Sequence, residues 1–163
     1  MRETIEMRGA VTLELTDAAG AVVHRQQYPN RIVKSGRRLV AELFGGAKGG
    51  KPPSPIGYVA VGSNGDAAND DQLALGNQIG DRKPIEQITY TDFDDKPGGS
   101  TETIKRTRVS VSAVFESADS NAVLREAGLF TAASGGVMYN RVRFEDVTKT
   151  TAFKLTVLWD VVF

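Results

Sequence analysis

Thr107-Arg108-Val109-Ser110-Val111-Ser112-Ala113-Val114-Phe115 decides the fold. Thr107, Val109, Val111, Ala113 and Phe115 alternate with Arg106, Arg108, Ser110, Ser112 and Val114. That period of two belongs to a strand with one face in a core. The end of the chain repeats it: Phe153, Leu155, Val157, Trp159, Val161 and Phe163 share one face, and Lys154, Thr156, Leu158, Asp160 and Val162 take the other. Between these stretches, Val123 to Thr131 is a further apolar segment, and Met138, Asn140, Val142 and Phe144 alternate with Tyr139, Arg141 and Arg143. Ser134-Gly135-Gly136 separates the two, and glycine supplies the positive φ of a tight hairpin. Glu145 to Thr151 reads as a second polar connection. The C-terminal half is therefore expected to be consecutive antiparallel strands.

Working outward, Val11 to Leu15 and Ala21 to Tyr28 flank Asp17-Ala18-Ala19-Gly20, which predicts a first hairpin whose second strand ends at Pro29. Ile32, Val33, Gly36, Leu39, Val40, Leu43 and Phe44 recur at three and four, the stripe of a short helix over about residues 35–44. Ser35 is the expected N-cap and Gly45-Gly46 the expected stop. Strands are expected at Ile56 to Val61 and Pro84 to Thr91, with loops over about 47–55, 62–77 and 92–100. The whole, 1–163, reads as a single domain: a mainly β, antiparallel β-sandwich of about seven to nine strands with one short α-helix over an edge or open end.

Composition bounds what such a domain does. The 163 residues include 20 basic and 20 acidic side chains, one histidine (His24) and no cysteine. Disulfide frameworks, thiol nucleophiles and thiolate zinc sites are excluded, and one histidine leaves no His-rich metal site. Balanced charge gives no reason to expect a nucleic-acid partner. No apolar run reaches the roughly 18 residues of a membrane helix, and the opening Met1-Arg2-Glu3-Thr4-Ile5-Glu6 lacks a signal-peptide core, so neither membrane nor export is expected.

No catalytic constellation can be assembled. His24 has no nucleophile to pair with. Gly45-Gly46-Ala47-Lys48-Gly49-Gly50-Lys51 departs from the phosphate-loop order and reads as a flexible loop. Asp66-Ala67-Ala68-Asn69-Asp70-Asp71 and Asp92-Phe93-Asp94-Asp95 do not fit a calcium loop and read as solvated turns. The reading is of a protein with no enzyme activity, no cofactor and no metal. Arg31, Lys34, Arg37 and Arg38 around the helix, with Lys105, Arg106 and Arg108 on a strand, suit a salt-bridged protein interface. The candidate interface residues are Arg37, Arg38, Lys48, Lys51, Tyr90 and Phe93. Lys48 and Lys51, with the helix arginines, are expected to meet acidic groups of a partner. Tyr58, Tyr90, Phe93 and Tyr139 are the aromatics that a carbohydrate-binding or receptor-binding surface would have to use.

One stretch carries a resemblance. Leu124-Arg125-Glu126-Ala127-Gly128-Leu129-Phe130, the Ser134-Gly135-Gly136 turn, Tyr139-Asn140-Arg141-Val142-Arg143-Phe144, Lys149-Thr150 and the closing Leu155-Thr156-Val157-Leu158-Trp159 resemble a pattern in small structural proteins of tailed bacteriophages. Asn30 to Phe44, Ile56 to Gly62 and Leu75-Gly76 resemble upstream elements of the same proteins, so the likeness covers about residues 10–163. It implies a virion protein of the tail, baseplate or fibre-attachment region, assembled in the host cytoplasm, whose partners are other virion proteins and copies of itself. Its alternatives are a capsid-surface decoration protein or, in a different class, a β-sandwich module binding a host glycan or receptor. Within the motif, Glu126 and Arg141 are expected to form a cross-strand charge pair that holds register. Leu129 and Phe130 point to opposite faces, one filling the core and the other left for a partner.

Overall fold

The computed structural model describes residues 6–46 and 50–163. Two five-stranded antiparallel sheets face each other. The first sheet runs, edge to edge, β2 (Val22–Pro29), β1 (Arg8–Thr16), β10 (Lys154–Val162), β7 (Ile104–Phe115) and β6 (Gln87–Asp95). The second runs β3 (Arg31–Ile32), β9 (Met138–Lys149), β8 (Ala122–Phe130), β4 (Tyr58–Gly62) and β5 (Lys83–Pro84). The single helix, α1 (Lys34–Gly45), follows β3 and packs against β9. This is the expected β-sandwich, with ten strands because β3 is an unexpected two-residue edge and the expected strand Pro84 to Thr91 is divided between β5 and β6, which lie in different sheets.

The alternating residues meet in one core. Val11, Leu13, Val111, Ala113, Phe115, Leu155, Val157 and Trp159 of the first sheet pack against Leu124, Ala127, Leu129, Val142 and Phe144 of the second. Trp159 is fully buried. In the first sheet β10 is held on both sides, Trp159 standing opposite Val11 and Val111, so one-residue slippage of either neighbour would turn its apolar face to water.

Two expected loops are strand instead. Asp92 to Asp95 continue β6, paired with Ile104 to Thr107. Aspartate disfavours strands, but Lys105 Nζ donates to Asp94 at 2.5 Å, Thr107 Oγ1 donates to Asp92 at 2.8 Å and Arg106 meets Asp95 at 2.8 Å. These cross-strand partners override the propensity, and the connection shrinks to residues 96–103. Likewise β9 runs on through Glu145 to Lys149. Val147 and Lys149 turn inward there, and Lys149 Nζ caps the β7–β8 turn through the carbonyls of Glu116 (2.7 Å) and Ser117 (3.4 Å) and Asn121 Oδ1 (3.0 Å). Burial pushes the Lys149 amine below its usual range, opposed by the charges of Asp119 and Glu116.

α1 also starts differently. Its cap position is Val33, and Ser35 lies in the first turn with its hydroxyl donating to the Met138 carbonyl at 2.7 Å. The orphan amide of Lys34 is satisfied from outside the helix, by the Asp70 carbonyl at 2.9 Å. Tyr139 is the reason. The pairing of β8 with β9 shifts so that Leu129 stands opposite Asn140 and Phe130 opposite Met138, leaving Tyr139 as a bulge whose carbonyl accepts from Val33. A Cβ at Gly36 would collide with that carbonyl, so the glycine in the helix stripe is what lets α1 lie against the β9 backbone. The expected stop holds: the helix ends at Gly45, and Gly46 takes φ 71°.

Candidate interaction surface

Glu126, Phe130 and Arg141 lie on the outer face of the second sheet, which the chain covers with its own segment 63–82. Glu126 and Arg141 lie diagonally across β8 and β9, Glu126 opposite Arg143 and Gly128 opposite Arg141. Both are wholly buried and joined at 2.7 Å. Glu126 also accepts from the amides of Asn77 (2.7 Å), Gly76 (2.9 Å) and Asn64 (3.3 Å). Arg141 donates onward to the Asp66 carbonyl (2.9 Å), Gln72 Oε1 (3.2 Å) and Asn64, at its Oδ1 (3.2 Å) and carbonyl (3.4 Å). The charge pair is present, and it clasps a loop as well as two strands. A buried ion pair is tolerated when its remaining lone pairs and protons are satisfied, which these are.

Phe130 is not left for a partner. It packs with Val33, Ala60 and Met138, and the Arg82 guanidinium lies 3.6 Å from its ring centroid. Arg82 is fixed there by the carbonyls of Ala132 (2.8 Å) and Gly135 (2.7 Å) at the β8–β9 turn, and burial lowers its pKa. Gly128 lets the backbones approach closely: a Cβ there would stand 2.9 Å from the Asn140 carbonyl.

The expected interface residues scatter over the surface. Arg37 and Arg31 share Asp70, at 3.3 and 2.8 Å, and Arg38 pairs with Glu42 one turn on. The guanidinium bond from Arg31 holds the Asp70 carboxyl below the usual carboxylate range. Lys51 is exposed, and Lys48 lies outside the described residues. Tyr90 is 72% exposed, whereas Phe93, on the opposite face of β6, is half-buried under Arg108, whose guanidinium stands 4.8 Å from the ring centroid. Tyr139, counted among the candidate surface aromatics, is 3% exposed because the bulge turns it into the sandwich. Its phenol has no hydrogen-bond partner among the described residues, and burial pushes its pKa up to about 12.

What the structure brings together is apolar. A groove of about 210 Å³ opens between α1 and the first sheet, walled by Leu39 and Leu43, by Val109 and Val161, and by Tyr90 and Phe163. Large apolar side chains are left exposed at this end of α1 and on β6: Leu43, in the groove wall, is 47% exposed, Phe44 beside it in sequence 97%, and Ile88, two residues before Tyr90, 46%. Ile88 and Tyr90 stand opposite Val111 and Val109, so they occupy the core-facing side of β6, beyond the second sheet's reach. Their alternation with Gln87, Thr89 and Thr91 was the available signal; it marks a core-facing side but not how far the opposite sheet extends. Among the described residues, no group of three or more His, Asp or Glu side chains is placed to hold a metal ion, and no helix is long and apolar enough to cross a membrane. Comparison with known proteins finds no matching family model, no matching curated sequence and no matching solved structure.

Proposed function

We propose that the chain is a non-enzymatic structural protein of a tailed phage or phage-like particle, placed in the tail, baseplate or fibre-attachment region and acting through protein-protein interfaces. The observation that carries the reading is the apolar end of the sandwich, where Leu43 and Tyr90 wall one groove and Ile88 stands exposed on the same face of β6 as Tyr90, along a strand edge that is unpaired among the described residues. Concentrated exposed apolar surface marks interaction sites. The likeness of the C-terminal third to small tailed-phage structural proteins supplies the kind of assembly.

The test is immunogold electron microscopy on purified particles carrying an epitope-tagged copy. Label on the tail, baseplate or fibre base is the expected result. Label over the capsid would select a decoration protein, and particles without the protein would overturn the proposal. A glycan array is the second arm: binding that disappears in Tyr90→Ala or Phe93→Ala would replace the proposal with a carbohydrate-binding module.

A further inference from the structure

The four sheet edges are not alike. β3 and β5 are two residues long, and β2 carries a register shift near Thr16 and ends in Pro29. Short edges, bulges, proline and inward-pointing charges are the ordinary means of keeping foreign strands away. β6 has only the last, Asp92 and Asp94, which restrict its partners rather than its length: nine residues pair with β7 without a register shift, and among the described residues no strand pairs with its other edge. Its core-facing side chains, in order, are Ile88, Tyr90, Asp92 and Asp94, apolar where they adjoin the groove and acidic beyond it.

That order selects an occupant. On its paired edge β6 meets, in antiparallel register, Val111, Val109, Thr107 and Lys105. The free edge displays the same ladder, so it calls for the same complement: a basic residue, a hydroxyl and two apolar residues at alternate positions. A second copy's β6 does not supply it. A two-fold pair centred on Ile88 would set Tyr90 against Glu86, one centred on Thr89 would set Asp92 against Glu86, one centred on Tyr90 would set Ile88 against Asp92, and one centred on Thr91 would set Tyr90 against Asp92. Each register sets a carboxylate against an apolar side chain or a like charge. The β2 edge of a second copy, extending the sheet with its faces matched, would run parallel to β6, because β2 and β6 run the same way at opposite ends of a five-stranded antiparallel sheet.

We infer that β6 receives, by antiparallel strand addition, an extended segment of a different protein with the pattern basic-x-hydroxyl-x-apolar-x-apolar, its apolar side chains closing the open side of the groove over Tyr90 and Ile88. Main-chain hydrogen bonds supply affinity in this mode, and alternate side chains supply specificity. The inference deepens the proposed function and rests on its reading of this end as a protein interface. Immunolabelling tests the particle and a peptide tests the strand edge, so either can fail without the other.

The probe is a capped peptide with the sequence of residues 105–111, Lys-Arg-Thr-Arg-Val-Ser-Val, titrated against the full chain by fluorescence anisotropy with hydrogen exchange as the second readout. Saturable binding is expected, with new protection confined to residues 87–94. Replacing both valines of the peptide by aspartate should abolish binding. Replacing its lysine by glutamate should weaken it about tenfold, and raising the salt should weaken it further. Tyr90→Asp, at an exposed position, should leave the chain folded, with its circular dichroism unchanged, and lose binding. No binding at millimolar peptide would overturn the inference, as would binding indifferent to Tyr90→Asp. A concentration-dependent oligomer dispersed by Tyr90→Asp would also overturn it, by giving the edge to a second copy.

Discussion

Arg141 donates through all three of its guanidinium nitrogens and Glu126 accepts through both oxygens, in a site from which water is excluded. Arg141→Ala or Glu126→Ala would leave the other charge buried without its counterion, at a cost of about 3–5 kcal/mol. The double variant should cost less than the sum, because the second change removes the charge the first one orphaned. Urea denaturation of the parent, the two single variants and the double variant closes that cycle; additive losses would show that the two residues act independently. Sequence spacing placed this pair correctly, since both lie on strands joined by the Gly135-Gly136 turn. It gave no sign that segment 63–82 would fold over the pair, because most of the bonds that hold the segment there come from backbone amides and carbonyls, which every residue carries. Trp159 was equally legible, being one of six apolar residues in strict alternation. Trp159→Ala should cost about 3–5 kcal/mol. Trp159→Phe should cost much less, because it keeps most of the ring and removes an indole N–H that is buried without a partner among the described residues. An unchanged melt of Trp159→Ala would contradict its burial.

Among the elements, β7 and β10 were readable because one face of each is buried against the opposite sheet, so burial and period agree. The ends of β6 and β9 were obscured for the same reason inverted. Their register is fixed by pairs such as Asp94 with Lys105, and by a lysine that turns inward to cap carbonyls, and such residues look like loop in sequence. The apolar groove was illegible for another reason: Leu43, Tyr90 and Phe163 meet only once both sheets and α1 are in place. α1 shows how tertiary contact reverses a local preference. Glycine inside a helix ordinarily costs roughly 0.5–1 kcal/mol relative to alanine, so Gly36→Ala would stabilise a helix standing alone. Here the added methyl meets the Tyr139 carbonyl, a backbone atom that cannot swing away. Gly36→Ala should therefore destabilise the protein by about 1–3 kcal/mol, the cost of overpacking, and hydrogen exchange should quicken first in residues 34–45. A stabilised Gly36→Ala would mean that α1 does not rest on the β9 bulge.

At the scale of the molecule, loops and strands are tied to one another by charge at several separate places. Asp70 is held by Arg31 and Arg37, Asp119 by Lys83 at 2.7 Å, and Asp146 by Arg125 at 2.7 and 3.1 Å. In each case the bond from the basic side chain, Arg31, Lys83 or Arg125, is the largest influence and keeps the carboxyl below the usual carboxylate range in the folded state. A carboxylate with a depressed folded pKa is less readily protonated in the native chain than in the unfolded one. The unfolded state therefore gains protons first as pH falls, and the stabilisation, complete above the ordinary carboxylate range, is lost as pH drops toward the depressed values. The melting temperature should accordingly stay level from neutral pH to about pH 5 and fall below about pH 4. A variant carrying Asp70→Asn, Asp119→Asn and Asp146→Asn should melt lower than the parent at neutral pH but approach it in acid, having fewer of the groups that titrate. Because these carboxylates lie near the surface, salt should narrow the difference at neutral pH. Thermal melts of the parent and the triple variant between pH 2 and pH 7 decide the matter. Parallel curves over the whole range would show that these three pairs contribute nothing to the acid dependence of the fold.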